Sequence, residues 1–133
     1  MAVYLIAGIA AEYNCKYPLL KNRSEKYKTE NIKPDFTIEL DESYYISRRK
    51  ILPDTSDEVL EYIGTGSAFY KELLKYQGVM LHASAVAVDG YAYLFSAPCR
   101  MGKSTHTKNW QELLGKENAV IINDDKPDRK SVV

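Results

Sequence analysis

The chain has 133 residues, with 18 basic side chains against 18 acidic ones, and that balance excludes the global positive field by which a protein holds nucleic acid or an anionic membrane. The length is enough for a real core. The two cysteines, Cys15 and Cys99, make no disulfide framework and no apolar run reaches membrane-spanning length, so a reducing cytoplasm is the expected setting. In chain order, the apolar run 3–13 predicts one strand, buried on both faces for part of its length. It lacks a basic leader and meets Glu12, unlike a signal peptide. Tyr17-Pro18 predicts a turn, and 21–31 a polar loop or short helix. Residues 35–40 alternate, with Phe36, Ile38 and Leu40 on one face of a strand. The pattern of 41–53 is mixed and assigns no element. Ser56 is placed to cap a helix carrying Val59, Leu60 and Ile63, with Asp57 and Glu58 favourable in its first turn. Gly64-Thr65-Gly66 is expected to break that helix, and a second, 67–76, places Phe69, Tyr70, Leu73 and Leu74 at core spacing until Gly78 closes it.

Residues 79–88 and 91–96 read as strands joined at Asp89-Gly90, a hairpin turn signal. The second arm runs into Ala97-Pro98-Cys99-Arg100-Met101-Gly102-Lys103-Ser104-Thr105. This fits the phosphate-loop pattern, with Ala97 in the leading small-residue slot, four residues, then Gly102-Lys103-Ser104. The chemistry follows from the residue types. Gly102 lets the backbone approach a phosphate, successive N–H groups and a helix N-terminus face it, and Lys103 adds a full charge. The Ser104 hydroxyl can ligate Mg²⁺. Cys99 sits inside the same anion nest, where a thiolate would be favoured, although a bystander thiol is the commoner outcome. The helix 105–114 is expected to bury Trp110, Leu113 and Leu114, with His106 exposed or packed one turn in. A short strand, 119–123, should be buried on both faces and ends in Asp124-Asp125. A carboxylate there is placed where phosphate-loop nucleotidases hold Mg²⁺.

Three stretches, Leu81-His82-Ala83-Ser84-Ala85 onward to Gly90, the loop from Ala97 to Ser104, and Ile121-Ile122-Asn123-Asp124-Asp125, together resemble the kinase domain of HPr kinase/phosphorylase. That fold is shared with ATP-dependent phosphoenolpyruvate carboxykinase. The chain also resembles Firmicutes proteins of this type labelled as phosphoenolpyruvate carboxykinase. The motif-bearing likeness covers residues 79–127. It implies an α/β fold with a mixed sheet of the HPr kinase/PEP carboxykinase type, an N-terminal α+β segment at 1–66, and the first part of a phosphate-loop nucleotide-binding domain at 67–133, truncated after the second acidic strand. It further implies ATP and Mg²⁺ as cofactors. His82 matches the family's active-site histidine, Lys103 its phosphate-binding lysine and Ser104 its magnesium ligand. Asp124 matches the aspartate that deprotonates the acceptor hydroxyl, and Asp125 would assist with metal or hold Asp124. The loop departs from the family in being poorer in glycine, and no carboxykinase site for oxaloacetate is visible.

Two functions follow as expectations. One is phosphoryl transfer from ATP to an unidentified acceptor, a protein serine or a small molecule, with no nucleic acid or membrane partner. The other is nucleotide or phosphate binding without turnover. Because only eight residues follow Asp125, the isolated chain is expected to be marginally stable or to self-associate, and to show no robust kinase activity.

Overall fold

The computed structural model describes residues 1–78, 80–81, 83–98, 101–123 and 131–132. The protein is mixed α and β, divided into two compact units, Met1–Gly78 and Val79–Val133.

The first unit begins with a hairpin, β1 (Ala2–Ile6) and β2 (Ile9–Tyr13), where one long strand was expected. Ala7 and Gly8 form its two-residue turn with φ of 52° and 79°, the left-handed pair that matches strand twist. Helix α1 (Pro18–Ser24) follows, then a short 3₁₀ turn, β3 (Lys28–Thr29) and β4 (Phe36–Ile38). The sheet order is β3-β1-β2-β4, with β4 parallel to β2 and the other pairs antiparallel. Tyr4 and Tyr13 stack across the hairpin with centroids 4.2 Å apart. Pro18 stands at the start of α1, where its missing N–H is no loss.

The unassigned stretch holds α2 (Glu42–Ile51), whose cap is local: the Asp41 carboxylate accepts from Tyr44 N at 3.0 Å. Helix α3 (Asp57–Leu73) then runs straight through Gly64-Thr65-Gly66. The expected break fails because Gly64 is a packing residue. A Cβ there would stand 2.5 Å from Tyr44 Cζ and 2.9 Å from Leu40 Cδ1. The boundary expected at residue 66 therefore falls inside a helix, and the division comes at Gly78. Gln77 takes a left-handed φ of 56° and Gly78 N donates to Leu73 O at 3.0 Å, which ends the helical run. Leu60, Phe69 and Leu73 are buried with Ile38, Tyr13 and Leu20, while Leu74, expected in the core, is exposed.

In the second unit, β5 (Met80–Leu81) pairs antiparallel with β9 (Ser131–Val132), a segment without a sequence signal of its own. A three-stranded sheet, β7-β6-β8, is built from β6 (Ser84–Val88), β7 (Tyr91–Phe95) and β8 (Ala119–Asn123). Asp89 and Gly90 turn the hairpin with φ of 49° and 79°. Helix α4 (Lys103–Leu114) packs against the sheet. The strand read as 79–88 is thus two strands, β5 and β6. Strand β8, expected to be buried on both faces, is one-sided: Ala119 is buried, whereas Val120 and Ile122 are more than half exposed. Among the described residues no helix is long and apolar enough to cross a membrane.

Candidate functional site

The second unit carries the sequence-predicted residues, and its strand directions decide which of them can meet. Both β7 and β8 run antiparallel to the central β6, so they run parallel to each other. Phe95 pairs with Ser84, and Asn123 pairs with the adjacent Ala85. The C-terminal ends of β7 and β8 and the N-terminal end of β6 therefore share one end of the sheet. Two strand spacings, about 10 Å, separate the two outer strands. At this end β7 leads into residues 96–98, and the described chain resumes at residue 101 ahead of α4. Between Ala85 and Val86 the β6–β8 register shifts, so Ile122 is an extra residue on β8.

The loop closes on α4 through Gly102, which caps the helix with φ 81° and ψ 22°. A Cβ at Gly102 would meet no atom within 4 Å. The left-handed backbone demands glycine there, and the space beside it is open. Lys103 opens α4 and is only 7 % exposed. Its ammonium donates to Ala97 O at 2.7 Å and to Pro98 O at 3.1 Å, and Met101 N donates to Pro98 O at 3.4 Å. An ammonium has three donors, so one remains for an incoming oxygen. Ser104 stands next on the helix, half-buried, with its hydroxyl uncommitted among the described residues. Thr105 is exposed. His106 N donates to Gly102 O at 2.9 Å, the first bond of the helical ladder.

Helix α4 is held on the sheet differently from the expected leucine stripe. Thr107 is fully buried, whereas Leu113 is 83 % exposed and Leu114 is exposed as well. Trp110 is half-buried, against Tyr93 at 4.9 Å and Phe95 at 5.6 Å between centroids, and the exposed His106 meets Phe95 edge-on at 4.4 Å. Gln111 Nε2 donates to Ala119 O at 2.8 Å and fixes the far end of the helix to β8. The sequence placed Trp110 in the core and His106 exposed or packed, and missed Thr107 and Gln111 as the other contacts of the helix with the sheet. The only signal of the aromatic seam was the i, i+4 spacing of His106 and Trp110 beside the alternating Tyr93 and Phe95.

His82, Cys99, Arg100, Asp124 and Asp125 lie outside the described residues. Among the described residues no group of three His, Cys, Asp or Glu side chains is placed to hold a metal ion. Comparison of the chain with protein-family models, with curated proteins and with solved structures returned no match.

Proposed function

We propose that the chain is an ATP- and Mg²⁺-binding phosphotransferase-like protein of the HPr kinase/PEP carboxykinase type, with residues 97–105 as its phosphate loop. What carries the reading is the strand register, which brings the C-terminal ends of β7 and β8 and the N-terminal end of β6 to one end of a single sheet. Left-handed Gly102, the buried Lys103 ammonium and the uncommitted Ser104 hydroxyl support it. Backbone N–H groups at the start of α4 face the phosphates, and Lys103 keeps the loop closed through two carbonyls while offering its third N–H to a phosphate oxygen. Ser104 and Asp124 would hold the metal, with Asp125 assisting. When bound, Mg²⁺ supplies neutralisation of the phosphate charge. Asp124 would take the proton of the acceptor hydroxyl, and His82 would be the active-site histidine that the family resemblance implies. The acceptor is a serine hydroxyl of a protein or the hydroxyl of a small molecule.

The test separates binding from turnover. Calorimetry with Mg-ATP should show saturable binding, and Asp124→Asn should lower the rate of phosphoryl transfer or ATP hydrolysis by ~10²-fold or more while leaving metal-free ATP affinity nearly intact. An unchanged rate removes Asp124 from the chemistry. Saturable binding with no turnover in the wild type would leave a nucleotide-binding protein in place of an enzyme.

A further inference from the structure

A second polar site lies in the first unit and is independent of the phosphate loop. Glu61 stands on α3 only 2 % exposed. Its carboxylate accepts from Lys16 N at 2.7 Å and Tyr17 N at 3.1 Å, two backbone donors at the start of α1. No cation pairs with it among the described residues. A carboxylate has about four acceptor positions, so two remain. One turn along α3 lies Thr65, 4 % exposed, and from α2 comes Tyr45, 2 % exposed. Neither hydroxyl has a hydrogen-bond partner among the described residues. All three residues line one cleft of about 200 Å³.

Buried hydroxyls without partners and a buried carboxylate without a counter-charge are costly in a folded core. Burial first, and then the charge of Glu61, pushes the Tyr45 phenol up to about 12, so at neutral pH it stays un-ionised beside the carboxylate. The rest of the lining adds two further carboxylates, Glu39 and Asp41, the Lys16 side chain, Asn14 and Met1, and apolar walls from Ile38 and Leu40. The nearby lysine does not neutralise Glu61. Lys16 Nζ lies over the Tyr45 ring, 5.3 Å from its centroid, and forms no ion pair with the carboxylate.

We propose that this cleft binds the primary ammonium group of a small molecule with a short aliphatic tail. An ammonium has three N–H donors and no acceptor, and the cleft offers three acceptors: the Glu61 carboxylate, Thr65 Oγ1 and Tyr45 Oη. Three carboxylates, Glu39, Asp41 and Glu61, against Lys16 and the terminal residue Met1 leave the lining negative, which favours the charge, and Ile38 and Leu40 receive the tail. A neutral alcohol would leave Glu61 without a counter-charge, and a quaternary ammonium has no N–H to give.

The probe is n-butylammonium chloride, titrated into the full chain at constant ionic strength, with the ¹³C-labelled Thr65 methyl as reporter and calorimetry beside it. Saturable binding is expected for n-butylammonium, with none for n-butanol or tetramethylammonium. Thr65→Val and Tyr45→Phe each keep the shape and remove one acceptor, and each should weaken binding by at least ~5-fold. The wild-type selectivity series needs no variant, so a misfolded variant does not rescue the proposal. Non-saturating shifts, equal response to n-butanol, or unaltered affinity in both variants would overturn it. Variants that are merely more stable, with no response to amine in the wild type, would show that water alone serves the hydroxyls.

Discussion

Two glycines of one helix, two positions apart, should respond to alanine with opposite signs. At Gly64 a new Cβ meets Tyr44 Cζ at 2.5 Å, its hydroxyl oxygen at 2.6 Å and Leu40 Cδ1 at 2.9 Å. The Tyr44 ring cannot swing away freely, because its hydroxyl donates to Leu60 O at 2.9 Å and its ring meets Tyr45 edge-on at 5.4 Å. Overpacking costs about 1–3 kcal/mol, and loss of the Tyr44 hydrogen bond about 1 kcal/mol. The helix-propensity gain of about 1 kcal/mol offsets one of these. Gly64→Ala should therefore destabilise by about 1–3 kcal/mol. At Gly66 the nearest atom is Tyr70 Cε2 at 3.7 Å, ordinary contact, so the propensity gain stands alone. Gly66→Ala should stabilise by about 0.5–1 kcal/mol. Urea unfolding followed by far-ultraviolet circular dichroism reads both, with unchanged m-values required for the comparison. A Gly64→Ala protein as stable as the wild type would refute the seating of Tyr44 on α3.

Three further outcomes test the charges and hydroxyls. Burial holds the Tyr13 phenol at about 12, against an ordinary value of 10.0, while its hydroxyl donates to Ser24 Oγ at 2.9 Å. A raised folded pKa means stability fully present below pH 10 and lost as the pH rises towards 12. Tyr13→Phe, followed by urea midpoints between those values, should show a pH slope smaller by about one proton; an unaltered slope would contradict the buried phenol. Arg49 holds Asp57 below the usual carboxylate range through hydrogen bonds of 2.9 Å and 2.6 Å, against an opposing effect of burial. That contribution is present above about pH 4 and lost as the pH falls through the lowered value, so Asp57→Asn should flatten the acid limb of the stability curve. An acid limb identical to that of the wild type would remove the pair from the account. Alkylation of Cys99 should abolish nucleotide binding, and bound Mg-ATP should slow it; modification at the same rate with and without nucleotide would place the thiol away from the loop.

Where a signal was local, the sequence was readable. Asp89-Gly90 turns as its residue types require, Ser56 takes the N-cap position of α3, without a capping bond from its side chain, with Asp57 and Glu58 in the first turn, and the Gly102-Lys103-Ser104 run opens a helix after a strand. The Ala7-Gly8 turn was hidden because alanine is an uncommon residue at φ 52°. The start of α1 was hidden because its donors are satisfied from far along the chain: Glu61 takes Lys16 N and Tyr17 N, and Glu58 takes Leu19 N at 2.7 Å. Gly64 reads as a breaker by propensity and acts as a packing residue only because Tyr44 lies on it. In the candidate site the loop and Lys103 were legible from spacing. The sharing of one sheet end by the ends of β6, β7 and β8 was not, since it depends on β6 lying between β7 and β8.

The central claim is that residues 97–105 bind phosphate through Lys103, and calorimetric titration of Mg-ATP into wild type and Lys103→Ala tests it most directly. The lysine contributes one charge-assisted contact and two loop-closing bonds to carbonyls. Its removal should weaken binding by at least ~10-fold, the equivalent of ~1.5–3 kcal/mol, with the thermal melt still cooperative. Equal affinity of the two proteins, or no saturable binding by the wild type, would contradict the account.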